Sequence, residues 1–467
     1  MSAVAAITSR LPAPAWSTDP DALSPHLVEW RDRWRGTSPL LLLPRSTAEV
    51  VEMVGLCREA GLAIVPQGGN TGLVGGQTPQ GEAVMSLRKM GRIESVNART
   101  NALVAQAGAT LVDVQRAARG ADRLFPLSLA SEGTATVGGL ASTNAGGVHV
   151  VRFGTMRELV WGVEAVLADG SVFNGLSSLP KDNTGYDLSN LFVGAEGTLG
   201  IVTRVMLKLH PRPGHVQRVL AGVASPEAAL ELLEAARATG DLAMFEVFPR
   251  FGVELVCGHM GGRDPLDAPH PWYALVDWYV DTSDQGLEVA ERVVGAGLEA
   301  GHVRDAVLAQ SDTQAAQLLA LRENLSEAQK WAGGSIKHDV SLPIDAIPEF
   351  LRRAGEVVER LVPSARPVPF GHFGDGNIHY NISQPIEADK AAFLARWEEV
   401  SDAVHDIVSD LDGSISAEHG IGTLKRDELA RRASPAKMRL LRAVKAAFDP
   451  HNLFNPRVLL APQAPAK

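Results

Sequence analysis

Pro66-Gln-Gly-Gly-Asn-Thr-Gly-Leu-Val-Gly-Gly76 is the stretch of this 467-residue chain that says most about its fold. Five of the nine residues between positions 68 and 76 are glycines. Glycine lets the backbone approach a ligand closely and turn its N–H groups inward, which suits a diphosphate. Taken alone, the stretch is better explained as an ordinary glycine loop, so its interpretation depends on the segments around it.

A βαβ unit leads into this first glycine loop. Residues 40–43 form an apolar run, and Ser46 followed by Glu49 is typical of a helix N-terminus. Gly61 predicts the end of that helix after Ala60, and residues 62–65 predict the second strand.

Two more glycine loops follow, at residues 131–147 and 194–202, each next to a predicted strand or helix. Small residues and hydroxyls dominate the second loop, whereas a core helix would carry more leucine and valine. Three such loops predict a large phosphate-bearing cofactor. None of them has the G-x-G-x-x-G spacing of a Rossmann fold after a strand, and the chain has no G-x-x-x-x-G-K-[ST] motif.

Composition limits the partners of the chain. A formal charge of −10 argues against nucleic acid and anionic membranes, which attract basic surfaces. Two distant cysteines, Cys57 and Cys257, indicate neither a disulfide framework nor a thiolate zinc site. With no signal-like leader and no apolar run of membrane-spanning length, we expect a cytoplasmic protein without a transmembrane segment.

The composition changes near residues 211–214, where we place a domain boundary. From there, strands and helices alternate in a pattern that predicts an α+β domain with an antiparallel sheet. A helix predicted from 312 to about 331 carries Arg322 and Ser326 four residues apart, and therefore on one face.

A histidine pair in this second half predicts a metal-binding hairpin. In His372-Phe-Gly-Asp-Gly-Asn-Ile-His379, a four-residue turn at 374–377 would place His372 opposite His379. Side-chain alternation puts Asn381 on the same face as His379. A glycine-rich turn with two surface histidines explains this stretch alone equally well.

The motifs taken together resemble the FAD-linked D-2-hydroxy acid dehydrogenases, flavoproteins of the vanillyl-alcohol-oxidase type. The resemblance covers residues 39 to about 460 and rests on seven motifs in the family's order: Pro66-Gln-Gly-Gly-Asn-Thr-Gly72, Thr143-Asn-Ala-Gly-Gly147, Phe192-Val-Gly-Ala-Glu-Gly-Thr-Leu-Gly200, Lys337-His-Asp-Val-Ser-Leu-Pro343, Gly371-His-Phe-Gly-Asp-Gly-Asn-Ile-His379, Ser416-Ala-Glu-His-Gly420 and Phe454-Asn-Pro456. Within the family, the chain is most similar to the enzymes that oxidise D-2-hydroxyglutarate.

The resemblance implies an α+β protein whose FAD-binding domain has two subdomains, as in the p-cresol-methylhydroxylase type, and whose cap domain has an antiparallel sheet. The expected organisation is a helical lead-in at 1–36, the FAD-binding domain at 37–213, the substrate domain with the metal site at 214–423, and a helical segment at 424–467 that returns to the flavin. Asn70 stands where relatives with covalent FAD often have histidine, so we expect non-covalent FAD. His149 matches no linkage motif and is interpreted as structural.

The resemblance also implies the site residues. His372, His379 and Glu418 would hold a divalent metal, Zn²⁺ or alternatively Mn²⁺, and His419 would accept the hydroxyl proton. Arg322, Ser326, Lys337 and Asn381 would bind the substrate, although Ser326 replaces the family's usual threonine. The FAD contacts are expected from Pro66, Gly68, Gly69, Asn70, Thr71, Gly72, Gly133, Thr134, Gly138, Gly139, Ser142, Thr143, Ala145, Gly146, Gly147, Glu196, Gly197, Gly200, Ile201, Val202 and Asn455.

The implied reaction is oxidation of D-2-hydroxyglutarate to 2-oxoglutarate, with hydride transfer to flavin N5. D-lactate dehydrogenase and glycolate-oxidase activities are the enzymatic alternatives, and a non-catalytic flavin-binding subunit is the alternative from another class. A structural alternative for Arg322 is an ion pair with Glu323 or Glu327 on its own helix. An electron-transfer flavoprotein as acceptor and a homodimer are the expected partners.

Overall fold

The computed structural model describes residues 2–30 and 33–462. The chain forms two compact units, one of residues 1–147, 153–212 and 418–467 and the other of residues 148–152 and 213–417. Both units combine helices with sheets, so the α+β prediction is confirmed. The expected domain boundaries after residues 36, 213 and 423 stay a prediction.

The first unit contains three sheets. Its four-stranded sheet has the order Trp16–Ser17, Leu41–Leu42, Ala83–Ser86 and Ile64–Gln67. Its five-stranded antiparallel sheet has the order Ile93–Asn97, Ala102–Gln106, Ile201–Lys208, Val160–Val166 and Val172–Asn174. A two-stranded sheet pairs Arg123–Leu124 with His210–Pro211.

The helices of the first unit surround these sheets. They are Ala3–Thr8, Pro20–Leu27, Thr47–Ala60, Leu111–Gly120, Val137–Thr143, Met156–Leu159, Ser189–Phe192, Arg426–Arg432 and Pro435–Phe448. The short helix Val150–Phe153 lies where the chain passes between the units.

The predicted caps of the first long helix are confirmed. The Ser46 side chain accepts a hydrogen bond from the Glu49 N–H, and Gly61 ends the helix in the left-handed conformation with φ of 66°. The βαβ prediction is confirmed, because its two strands lie parallel in one sheet, although they do not pair with each other. Both lie parallel to Ala83–Ser86, a strand that the sequence analysis did not identify.

The second unit is built on one eight-stranded antiparallel sheet. Its strand order is Val303–Leu308, His215–Val223, Trp272–Val280, Leu242–Pro249, Arg366–His372, Asn377–Ser383 and Ser335–Lys337, with Val340–Ser341 also pairing to Asn377–Ser383. The predicted antiparallel sheet is therefore confirmed. The strand expected at 336–342 is divided in two, and the buried His338 between the halves meets the Tyr380 carbonyl oxygen through Nδ1 at 2.7 Å.

Helices cover both faces of this sheet. One face packs in a core with Pro226–Arg237, Ser283–Ala300, Ile347–Leu361, Lys390–Ala395 and Trp397–Asp410. The other face packs with Arg250–His259, Asp312–Glu323 and Leu325–Ala328. The helix predicted over 312–331 is thus interrupted at Asn324, whose conformation ends the first helix before Leu325 begins the next.

Candidate functional site

The three glycine loops come together in the first unit. The Glu196 backbone N–H of the third loop donates to the Ser142 carbonyl oxygen of the second loop at 2.7 Å. The Asn455 side-chain amide donates to the carbonyl oxygens of Gly76, in the first loop, and Glu196. Asn455 therefore ties the C-terminal segment to two of the loops.

Close packing between loops explains why two of the glycines are needed. A Cβ atom on Gly69 would lie 2.0 Å from the Thr134 carbonyl oxygen, and one on Gly68 would lie 2.2 Å from Thr136 Oγ1. By contrast, a Cβ on Gly133 would meet no atom within 4 Å. At positions 68 and 69, glycine thus lets the first loop pack directly against the second, a reason that the sequence analysis did not give.

The loops fit a phosphate-bearing cofactor. Gly68 to Gly72 are half-buried, neither part of the core nor fully open to solvent. Beside them, Thr136 Oγ1 is buried and has no hydrogen-bond partner among the described residues. A buried hydroxyl without a partner is costly, and a phosphate or ribose oxygen is a suitable partner for it.

Two residues expected to contact the cofactor use their side chains elsewhere. The Asn70 amide donates to two carbonyl oxygens of the lead-in. The Glu196 carboxylate accepts the backbone N–H groups of Ile421 and Gly422 at 2.8 and 2.7 Å. Burial raises the pKa of Glu196. The FAD contacts of Asn70 and Glu196 stay a prediction.

The remaining residues expected to contact FAD lie in or beside these loops. Ala145, Gly146 and Gly147 are buried in the second loop, and Ile201 and Val202 begin a strand of the five-stranded sheet. Their contacts with FAD stay a prediction.

In the second unit, the predicted polar residues lie on one face of the sheet. Lys337 pairs with Asn381, His379 with Phe370, and His372 with both Asn377 and Glu246, on successive strands. Directly paired residues project to the same face, and so do residues two apart along a strand. This places Glu246, His372, His379, Asn381 and Lys337 on one face.

The hairpin register differs from the prediction. His372 lies opposite Asn377 rather than His379, because the loop comprises residues 373–376. The N–H groups of Asp375 and Gly376 both donate to the His372 carbonyl oxygen at 3.1 Å, which closes the turn early. Gly376 adopts a φ of 85° there. The register moves by two residues, so both histidines keep the expected face.

The two histidines are diagonal neighbours suited to a shared metal ion. Their ring centroids are 5.5 Å apart. The Ala417 N–H donates to the Asp339 carbonyl oxygen at 3.3 Å, which fixes the residue peptide-bonded to Glu418 against this unit. Glu418 as the third metal ligand stays a prediction.

Glu246 is a residue of this face that the sequence analysis missed. It is fully buried, with 0% of its surface exposed. One carboxylate oxygen accepts from His372 Nδ1, and the other accepts from Arg322 Nε at 2.5 Å. Burial alone would raise the pKa of Glu246, but the positive charge of Arg322 and the hydrogen bonds from Arg322 and His372 lower it to about 2. The carboxylate is therefore anionic.

Arg322 and Ser326 differ in their surroundings. Arg322 is buried and pairs with Glu246, whereas Ser326 is exposed on the next short helix. The pairing of Arg322 with Glu246 makes an ion pair on its own helix unnecessary as an explanation for this arginine. Lys337 is half-buried, and Asn381 is buried. Substrate contacts by these four residues stay a prediction.

His419 is half-buried and directly follows Glu418. Its role as a proton acceptor stays a prediction.

His149, interpreted as structural, meets the Tyr279 hydroxyl through Nε2 at 2.9 Å. In the turn of the hairpin, burial raises the pKa of Asp375 to about 6.

Two family models match this chain. Residues 38–175 match a family model described as an FAD binding domain, and residues 212–459 match one described as the C-terminal domain of FAD linked oxidases.

The similarity to curated proteins extends over nearly the whole chain. A mitochondrial D-2-hydroxyglutarate dehydrogenase of Bos taurus is 38% identical over 451 residues, which are 96% of this chain and 81% of that protein. A D-2-hydroxyglutarate dehydrogenase of Xanthomonas citri pv. viticola is 36% identical over 455 residues, 97% of this chain and 96% of that protein.

Solved structures share the fold. A crystal structure of p-cresol methylhydroxylase superposes with a TM-score of 0.76 at 17% identity, covering 98% of this chain and 96% of that one. The expected fold type is therefore confirmed.

Proposed function

The chain belongs to the FAD-linked oxidase family and is related to the D-2-hydroxyglutarate dehydrogenases, and from this membership we propose that it oxidises D-2-hydroxyglutarate to 2-oxoglutarate with FAD and a divalent metal. The metal would be held by His372, His379 and Glu418. The observation that carries the metal proposal is the placement of His372 and His379 on one face of the sheet, with their ring centroids 5.5 Å apart. Two imidazoles and a carboxylate, with a position left open for substrate, are a common catalytic zinc set.

The donor chemistry at the histidine pair supports a metal. A carboxylate can only accept a hydrogen bond, so His372 Nδ1 must carry the proton that Glu246 accepts. The lone pair of His372 then lies on Nε2, which is the atom that would coordinate a cation. A divalent metal, probed with Zn²⁺ and Mn²⁺, would supply the Lewis acidity that lowers the pKa of a coordinated hydroxyl, and FAD would supply the hydride acceptor.

Protein groups supply the proton acceptor and the substrate contacts in this proposal. His419 accepts the hydroxyl proton, because imidazole takes up protons near neutral pH. Lys337 and Asn381, paired across neighbouring strands, offer a charge and an amide to the substrate on the face of the histidines. Arg322 offers the outer nitrogens of its guanidinium to a carboxylate.

A substrate panel tests the proposed activity. Purified enzyme with measured FAD and metal contents is assayed with D-2-hydroxyglutarate, D-lactate, D-malate and glycolate and a dye acceptor. We expect the highest kcat/KM with D-2-hydroxyglutarate. A clear preference for D-lactate or glycolate would overturn the substrate assignment, and no reduction of bound flavin by any substrate would favour a non-catalytic subunit.

A histidine substitution tests the metal. His372→Ala should abolish flavin reduction and lower the bound metal while FAD remains bound. His451→Ala is the matched control, because His451 is exposed and lies outside both groups of site residues. Undiminished flavin reduction in metal-free wild-type enzyme would reject the metal-assisted mechanism.

We propose an electron-transfer flavoprotein as acceptor, a homodimer as the assembly and the cytoplasm as the location. The Bos taurus relative is named as mitochondrial. No helix among residues 2–30 and 33–462 is long and apolar enough to cross a membrane.

A further inference from the structure

We propose that Glu246 is a positioning residue that joins the metal-binding and the substrate-binding parts of the site through one carboxylate. The inference rests on the proposed function, because it assigns roles to His372 and Arg322. Neither the motifs of the sequence nor the similarity to known proteins pointed to Glu246.

The position of Glu246 is determined by the sheet. Glu246 lies on Leu242–Pro249 directly opposite His372 on the neighbouring strand. Its strand neighbours Phe245 and Val247 project to the other face and are buried in the core there. The backbone therefore holds the carboxylate at the His372 ring, and its burial excludes water that would otherwise compete for its oxygens.

The two oxygens of Glu246 have different partners, and each partner is oriented by its own bond. The bond to His372 Nδ1 fixes the ring and makes Nε2 the atom that would coordinate a metal. The bond to Arg322 Nε, at 2.5 Å, fixes the guanidinium, whose centre also lies 4.7 Å from the centroid of the Phe370 ring. Phe370 in turn lies opposite His379 on the hairpin.

The outer nitrogens of Arg322 remain available. No other hydrogen bond of this guanidinium is formed among the described residues. A guanidinium fixed through Nε keeps two parallel N–H groups for a carboxylate. Glu246 thereby sets the distance between a carboxylate-binding group and a metal ligand, which is the distance that selects a substrate with a second carboxylate.

Glu246→Gln tests this role with the least change in size. The amide oxygen of glutamine accepts one hydrogen bond, but its NH₂ group cannot accept the other, and the charge is lost. Metal affinity is measured without substrate, by competition with a chelator on the FAD-loaded enzyme. We expect affinity for Zn²⁺ to fall about 10- to 100-fold, as is usual when the partner of a ligating histidine is removed.

The kinetic readout separates positioning from general damage. KM for D-2-hydroxyglutarate should rise by a larger factor than KM for D-lactate, which has no second carboxylate for Arg322 to bind. Asp277→Asn is the matched control. Asp277 is also a buried carboxylate of this sheet, and it accepts two hydrogen bonds from Arg218 at 2.6 and 2.5 Å. We expect this control to lower thermal stability without changing metal affinity or the ratio of the two KM values.

A second variant keeps the test decisive if Glu246→Gln does not fold. Glu246→Asp retains the charge but is one methylene shorter, so it cannot reach both partners and should show at least one of the two defects. Wild-type metal affinity and wild-type KM values in whichever variant folds would overturn the inference. A wild-type enzyme that binds no metal, or does not turn over D-2-hydroxyglutarate, would instead reject the proposed function.

Discussion

Replacing Gly69 by alanine should separate the first two glycine loops. The new Cβ would lie 2.0 Å from the Thr134 carbonyl oxygen, whereas ordinary contact begins at 3.4 Å, so the loops must move apart by the difference, 1.4 Å. Because the obstacle is backbone, it cannot rotate away as a side chain would. Overpacking of this kind typically costs about 1–3 kcal/mol. If the whole cost falls on the cofactor-binding arrangement, FAD affinity drops about 5- to 140-fold.

The assay is titration of the apoprotein with FAD, followed by flavin fluorescence, together with thermal unfolding of the apoprotein. Gly133→Ala is the matched control in the same loops, since its Cβ would meet no atom within 4 Å. We expect Gly69→Ala to lower both FAD affinity and the unfolding temperature, and Gly133→Ala to leave the unfolding temperature unchanged. Wild-type FAD affinity and stability in Gly69→Ala would refute the packing argument.

Two further predictions concern buried groups of the chain. Burial alone would raise the pKa of Glu164, but hydrogen bonds from Arg204 and two threonine hydroxyls hold it below its ordinary value. The ionised form therefore stabilises the fold above that ordinary value, and the contribution is lost as the pH falls through the lowered pKa. Glu164→Gln should lower the free energy of unfolding, measured by chemical denaturation at pH 7, by about 1–3 kcal/mol, which is more than Glu94→Gln should lower it. The difference from the wild-type protein should become smaller below about pH 4. A difference that does not change with pH would contradict this prediction. Burial also raises the pKa of the Cys57 thiol to about 12. A thiol reagent at pH 8 should therefore modify the half-buried Cys257 first and leave Cys57 unmodified in the folded protein. Peptide mass spectrometry of the treated protein checks this order.

Local signals in the sequence were sufficient to predict features that depend on neighbouring residues. Ser46 and Gly61 mark the ends of a helix because a side-chain cap and a left-handed residue are needed at those positions. The alternation of strands and helices after residue 213 predicted the antiparallel sheet, since each strand buries its residues against the helices that cover it. Pairing between strands that are distant in sequence was harder to predict. Ala83–Ser86 lies between the two strands of the βαβ unit, and nothing local to those strands requires it there.

The hairpin shows how a site can be predicted while its register is not. Residues on one face of a strand recur every two positions, so a shift of two residues preserves the hydrophobic pattern and leaves the sequence signal unchanged. His372 and His379 therefore kept the predicted face although they are diagonal rather than opposite. The choice of register was made by the turn, where two N–H groups converge on the His372 carbonyl oxygen.

Glu246 is a site residue that the sequence could indicate but whose partners it could not identify. In Leu-Ala-Met-Phe-Glu-Val-Phe-Pro, residues 242–249, it is the one charge in an apolar strand. A carboxylate is almost never fully buried without a partner, so this position alone predicts a cation or a donor nearby. The identity of the partners depends on a strand and a helix more than seventy residues away, and strand pairing with His372 and helix packing around Arg322 decide it. A charge isolated in a buried strand is thus a usable signal for a site, even where its partners can be identified only from the fold.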